Sequence, residues 1–216
     1  MSSDKKPGKE EQTSEVFLEA AYAVSTKRET LEFYKDWASS YDTQLENLGY
    51  TAPALIADIL ARHLRDRDGQ ILDVGCGTGL TGLALQRHGF LTIDGLDFSQ
   101  DMLDESQSRC LYRQLMLADL TQTLAIADGT YDAAVSSGTF THGHVDADAL
   151  DEIVRIIKPG GHLACTVNMG IWESAGFANK IPGLVERHRV TVLVEQDAGL
   201  FDPQEVDGRY YLMQKC

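Results

Sequence analysis

The stretch ILDVGCGTGL, residues 71–80, sets an apolar run, an aspartate and three alternating glycines within ten positions. A short apolar run bounded by turn residues reads as a buried strand. Glycines at 75, 77 and 79 directly behind it need a reason. Glycine has no Cβ, enters positive φ freely and lets a ligand lie against bare backbone. A tight strand-to-helix turn explains one or two of them. Three in alternation point to close approach by something flat. This pattern belongs to α/β sheets, whose ligands sit beyond the carboxyl ends of the strands, near the first strand.

The rest of the chain alternates accordingly. QILDV reads as a strand and GLTGLALQRHG as a helix stopped by Gly89. LTIDGLD is a strand, and SQDMLDESQSRC a helix with Ser99 at its N-cap. QLMLAD and YDAAVSSG are strands, and DALDEIVRIIK is a helix ended by Pro159-Gly160-Gly161. HLACTVN is a strand, a helix covers roughly 173–188, and RVTVLVE and RYYLMQK close the chain. The expected fold is Rossmann-like and doubly wound, a mostly parallel seven-stranded sheet with helices on both faces. The last two strands have no helical pattern between them, which predicts an antiparallel C-terminal edge.

Upstream of the sheet, residues 1–14 are charged and polar and read as a disordered tail. From Ser14 to Leu48 the pattern is helical and amphipathic, with Phe33, Trp37 and Tyr41 four apart on one face. A further helix is predicted from Pro53 to Leu64, with proline in its first turn.

Charge and cysteine usage exclude several function classes. Nineteen Lys and Arg face thirty-three Asp and Glu, a net charge of −14. That field repels polyanions, so neither a nucleic-acid nor an anionic-membrane partner is expected. No apolar run approaches the ~20 residues that span a bilayer. The polar N-terminus carries no secretory pattern. Cys76, Cys110, Cys165 and Cys216 form no CxxC pair, zinc spacing or disulfide framework, and no metal-site constellation is visible. A reduced, cytoplasmic setting is the expectation.

Gly77, Gly79 and Gly82 spell G-x-G-x-x-G, the dinucleotide fingerprint. Its register here is poor, because Asp73 and Gly75 precede it and Asp73 would face a pyrophosphate with like charge. An aspartate there better suits a ligand carrying a cation. The next strand ends at Asp97, eighteen positions after Gly79, where a carboxylate can accept both ribose hydroxyls of a nucleoside. Asp94 is the competing acid, disfavoured because Asp97 holds the strand tip. Asp119 ends the short third strand and can accept from an adenine amine. One aspartate at a strand tip is readily a cap or a solvated loop residue. Three at successive tips are harder to explain that way.

ILDVGCGTG, GLDFSQDML, LMLADL, YDAAVSS and IIKPGGHL, in that order and spacing, resemble the class I S-adenosylmethionine-dependent methyltransferases. The resemblance runs over roughly residues 30–216. FYKDWASSYD and SSGTFTHGHV resemble more narrowly the small methyltransferase-like proteins related to the Williams-Beuren syndrome region product. The resemblance implies S-adenosyl-L-methionine as cofactor. It implies that Asp73, with the loop Gly75, Cys76, Gly77 and Gly79, holds the methionine moiety, Asp73 near its ammonium. It further implies that Asp97 binds the ribose, Phe98 and Met102 flank the adenine, and Asp119 and Leu120 contact its edge. Ser136 would offer backbone near the methionyl part. Trp37 and Tyr41 would close over the cofactor, making residues 15–50 a helical lid on a methyltransferase domain at 51–216. For Trp37, core packing is an equal alternative.

Methyl transfer from a sulfonium is an in-line displacement, so alignment of the reactants is the main demand. A base is needed only when the nucleophile must lose a proton. His142 and His144 in GTFTHGHV are the candidates, since histidine titrates near neutral pH; plain exposed loop histidines are the alternative. Asn168 is followed by MGIW, which is not the Asn/Asp-Pro-Pro-Tyr/Phe signature of enzymes that methylate nucleic-acid amino groups. With the acidity, this argues for a small-molecule acceptor. Two rival functions stand beside this one: a non-catalytic nucleoside-binding partner protein, and a nicotinamide-dependent oxidoreductase, which lacks a Tyr-x-x-x-Lys pair.

Overall fold

The computed structural model describes residues 16, 20–21, 27–38, 40–142, 145–202 and 205–216. The predicted tail at 1–14 and His144 lie outside the described residues, as do parts of the predicted lid. Among the described residues, the helices α1 (Lys27–Trp37), α2 (Tyr41–Asn47) and α3 (Ala52–His63) precede the sheet. Then come β1 (Ile71–Val74), α4 (Leu80–Arg87), β2 (Ile93–Asp97), α5 (Gln100–Gln107), β3 (Leu115–Leu117) and β4 (Tyr131–Phe140). The chain continues as α6 (Ala149–Ile156), β5 (Ile157–Asn168), α7 (Phe177–Glu186), β6 (Val190–Ala198) and β7 (Gly208–Lys215).

The seven strands form one sheet in the order β3-β2-β1-β4-β5-β7-β6. The five strands from β3 to β5 are mutually parallel. The order reverses between β1 and β4, which opens a crevice beyond their carboxyl ends. β7 runs antiparallel to both β5 and β6. The last strand is therefore antiparallel, as predicted, but it lies one position in from the edge, and β6 forms the edge.

Burial on both faces explains why the central strands β1 and β2 are largely apolar. Along β1, Ile71 packs with Ile56, Leu60 and Leu85 of α3 and α4. Leu72 and Val74 face the other way, toward Leu150, Ile153 and Phe177 of α6 and α7. The same alternation runs along β7, with Tyr210 and Leu212 on the first side and Tyr211 and Met213 on the second.

Two boundaries differ from the sequence reading. The predicted long N-terminal helix is divided into α1 and α2. At the break the carbonyl of Trp37 accepts from the Ser40 amide at 3.0 Å and its hydroxyl at 3.4 Å. A serine that bonds local backbone competes with helix continuation. Helix α6 stops at Ile156, and Pro159-Gly160-Gly161 lies inside β5. Tyr131 at the start of β4 pairs with Ile157, with a register shift before Ala133 pairs with His162. The shift accommodates the Pro-Gly-Gly run as an irregular strand start.

Candidate functional site

A cavity of about 250 Å³ opens where the sheet order reverses. Its floor comes from four strand tips: Gly75 and Gly77 after β1, Asp97 and Phe98 at β2, Ala118–Thr121 after β3, and Ser137–Thr139 in β4. Met102 of α5 and Val145 add a wall, and Thr30 and Tyr41 bring the N-terminal helices to the rim. The volume is near the lower end of small-molecule pockets.

The glycines of the first loop have separate reasons. Gly75 (φ +69°) lies so close to Thr139 that any Cβ would collide with its hydroxyl. Gly77 (φ +51°) faces open space at the cavity, where a Cβ would meet nothing within 4 Å. Its amide donates to Asp97 Oδ2 at 2.8 Å. Gly79 caps α4 in the left-handed region. Gly82 is needed by packing, since a Cβ there would strike the Tyr112 hydroxyl. The accidental fingerprint thus ends on a residue that makes room for a tyrosine, and no phosphate is needed to explain it.

The two acids on β2 divide cleanly. Asp94 is 1% exposed and makes a bidentate pair with Arg113, at 2.9 and 2.7 Å. It also accepts from Gln114 at 2.8 Å and Tyr131 at 2.9 Å. Burial pulls its pKa up, but these donors outweigh burial and hold it below the usual carboxylate range. Among the described residues Asp97 has no such side-chain partners. It accepts from the backbone amides of Gly77 and Ser99, at 2.8 and 2.9 Å, and it lines the cavity. Burial raises its pKa, opposed by these amides.

Asp73 is the third residue of β1. It is wholly buried beneath the glycine loop, is not part of the cavity lining, and accepts from the Tyr112 hydroxyl at 2.7 Å. Burial lifts its pKa to about 7, against the Tyr112 hydrogen bond, while nearby Asp97 adds to the rise. The consequence has a definite sign. Between about 4 and 7 the folded protein keeps a proton on Asp73 that the unfolded chain releases, so this group's contribution to stability falls as pH rises. Asp73→Asn is therefore expected to gain stability relative to the native chain as pH goes from about 4 to 7. Denaturant unfolding of both at several pH values measures this; a difference that stays flat over that range refutes it.

The other predicted site residues fall into two groups. Tyr41, Gly75, Gly77, Asp97, Phe98, Met102, Asp119 and Leu120 converge on the cavity. Trp37, Asp73, Cys76, Gly79, Ser136 and His142 stand outside its lining. Trp37 is 2% exposed, clustered with Ala21 and Leu45, and its indole donates to Gln44 at 2.8 Å. Its ring meets Tyr41 edge-on at 4.6 Å, so it supports the residue that reaches the cavity. Cys76 is buried, and the Ser136 hydroxyl turns away to the Val74 carbonyl at 2.9 Å. His142 is half-buried against Gly170, where a Cβ would come within 2.8 Å of its ring.

Sequence reasoning missed Thr30, Ala118, Thr121, Ser137, Gly138, Thr139 and Val145, all of which line the cavity. The small polar run at the end of β4 was the available signal for Ser137–Thr139. No sequence signal marked Thr30 or Val145, which chain folding brings in from outside the strand tips. Among the described residues no group of His, Cys, Asp and Glu could hold a metal ion, and no helix is long and apolar enough to cross a membrane.

Comparison with known proteins agrees with this architecture. Residues 72–165 match the family described as methyltransferase domain. Methyltransferase-like protein 27 of Homo sapiens is 38% identical over 152 residues, which is 69% of this chain and 62% of that protein. The chain thus spans a little under two thirds of that relative's length. A complex of the Haloferax volcanii Trm112 methyltransferase activator with a proposed methyltransferase contains a similar chain. It aligns at 18% identity and a TM-score of 0.65, over 84% of this chain and 97% of that one. A TehB-like methyltransferase from Corynebacterium glutamicum, dependent on S-adenosylmethionine, aligns at 22% identity and a TM-score of 0.60. That alignment covers 83% of this chain and 98% of the other. At these identities the two structures speak for the fold.

Proposed function

We propose that this chain, a member of the class I S-adenosylmethionine-dependent methyltransferases, binds S-adenosyl-L-methionine in the cavity at the strand tips and transfers its methyl group to a small-molecule acceptor. The observation that carries this reading is the convergence of Gly75, Gly77, Asp97, Phe98, Met102, Asp119 and Leu120 on one cavity. The lining suits a nucleoside: a carboxylate among backbone donors, a bare glycine face, and apolar Phe98, Met102 and Leu120 for a flat ring. When bound, S-adenosylmethionine supplies a methyl group on a positively charged sulfur, a leaving group that needs no further activation.

The chain's own residues then have to bind and orient. In this reading Asp97 accepts from the ribose hydroxyls, its two oxygens aimed by the Gly77 and Ser99 amides. Phe98, Met102 and Leu120 pack the adenine and Asp119 meets its edge. Cys76 and Gly79 shape the loop, and Ser136 fixes β4 against β1 through the Val74 carbonyl. Asp73 acts through Tyr112 and the loop it underlies, and not by touching the ammonium. The N-terminal segment, residues 15–50, serves as a cap over residues 51–216: Tyr41 closes the rim and Trp37 holds Tyr41. Orientation of the reactants can contribute roughly 7–11 kcal/mol to such a transfer. His142 is the described candidate for taking a proton from an acceptor that must lose one. The acceptor is proposed as a small molecule because a net charge of −14 disfavours nucleic acid.

A thermal-shift titration tests the reading. S-adenosylhomocysteine at 100 times its dissociation constant is expected to stabilise the fold by ~2.7 kcal/mol. NAD at the same concentration is expected to do nothing. A rise with NAD and none with S-adenosylhomocysteine would restore the oxidoreductase alternative and end this one.

A further inference from the structure

The N-terminal helices meet the glycine loop through one carboxylate. Asp42 lies in the first turn of α2, next to the cavity-lining Tyr41. Its Oδ1 accepts from the Thr78 hydroxyl at 2.5 Å, and its Oδ2 pairs with the Arg109 guanidinium. Thr78 is the residue between Gly77 and Gly79, and it is 1% exposed. Arg109 follows α5, and its side chain packs on the same loop: a Cβ at Gly79 would come within 3.3 Å of Arg109 Cδ. Asp42 therefore joins three pieces of chain, α2, the loop after β1 and the turn after α5. It is not itself part of the cavity lining.

We propose that Asp42 is a positioning residue that latches the N-terminal cap to the glycine loop, so that cofactor retention depends on a side chain that does not touch the cofactor. The inference rests on the reading of the cavity as an S-adenosylmethionine site. The physical case is geometric. The Thr78 hydroxyl is fixed by its buried backbone, so the acceptor that reaches it fixes α2. A hydrogen bond to an ionised acceptor is stronger than a neutral one. Arg109 holds the same carboxylate from the side of α5, whose first turn carries Met102 to the cavity just after Phe98. With α2 in place, the Trp37–Tyr41 contact and the Tyr50–Ser137 hydrogen bond at 3.1 Å follow on either side. Without it, α2 loses the hydrogen bond from Thr78 that ties the residue beside Tyr41 to the loop.

A double-mutant cycle tests the latch, with S-adenosylhomocysteine affinity and off-rate as readouts. Asp42→Ala is expected to weaken binding roughly tenfold, the size of one charge-assisted hydrogen bond, and mainly through a faster off-rate. Thr78→Val is expected to weaken it less, and the double variant to be no worse than Asp42→Ala alone, because both remove one interaction. Native affinity in Asp42→Ala, or a double variant whose loss is the product of the two single losses, overturns the proposal. Hydrogen exchange gives a readout that needs no ligand. In Asp42→Ala the amides of residues 44–47 should exchange faster while those of 71–74 stay protected. Unchanged exchange at 44–47 overturns the latch whether or not the native chain binds S-adenosylhomocysteine. Failure of the native chain to bind, with faster exchange present, strikes only the cofactor reading.

Discussion

Asp94→Ala is expected to lower the stability of the fold by about 3 kcal/mol while leaving S-adenosylhomocysteine affinity nearly unchanged. The carboxylate is buried, and its four donors come from Arg113, Gln114 and Tyr131. Arg113 is half exposed and can turn to water. Tyr131 cannot, being 1% exposed, so its hydroxyl is left without an acceptor in the core. An orphaned buried polar group costs about 1–3 kcal/mol, and the lost charged hydrogen bonds add to it. For a chain of this size the thermal midpoint should drop by roughly 6–12 °C. A midpoint within ~2 °C of the native one would show that Asp94 is dispensable to the fold.

Asp97→Ala is expected to show the opposite profile: a large loss of binding and a smaller loss of stability. Hydrogen bonds to a charged acceptor contribute about 1.5–3 kcal/mol, so S-adenosylhomocysteine affinity should fall by roughly 10- to 150-fold. Removing the carboxylate also frees the Gly77 amide, which fixes the loop, so the two effects act on the same ligand. Asp97→Asn, which keeps one acceptor oxygen, should lie between. Calorimetry on the folded fraction of both β2 variants decides the matter. If Asp94→Ala loses more affinity than Asp97→Ala, the ribose assignment is wrong. The two acids are three positions apart on one strand, so the contrast isolates where each side chain goes.

Much of the fold was legible in the sequence because burial on both faces leaves the central strands largely apolar, and helices between them keep a 3.6-residue rhythm. ILDV, IDGLD and the run before Pro159 carried that signal directly. The glycine loop and Asp97 were legible for a related reason. A strand tip in an α/β sheet is a fixed place relative to the crevice, so a residue's position in its strand already places it. The order of strands beyond β5 was less legible. The antiparallel partner of the last strand was clear, but its insertion between β5 and β6 depends on pairing across the thirty-nine residues between Asn168 and Gly208, which local pattern does not encode.

The sequence by itself determined the sheet, the loop and the acids at the strand tips, because each follows from local periodicity and from what glycine and aspartate can do beside a strand. Only the tertiary structure decided what each acid does. Asp94 meets an arginine nineteen residues on and a tyrosine thirty-seven on, Asp73 meets Tyr112, and Asp42 meets Thr78 and Arg109. Only there did Trp37 become a support for Tyr41, and Ser137 a cavity residue where Ser136 is not. The physical reason is that a polar side chain's role is set by the partner that satisfies it once it is taken out of water. Those partners come from distant parts of the chain that only the packed fold brings together.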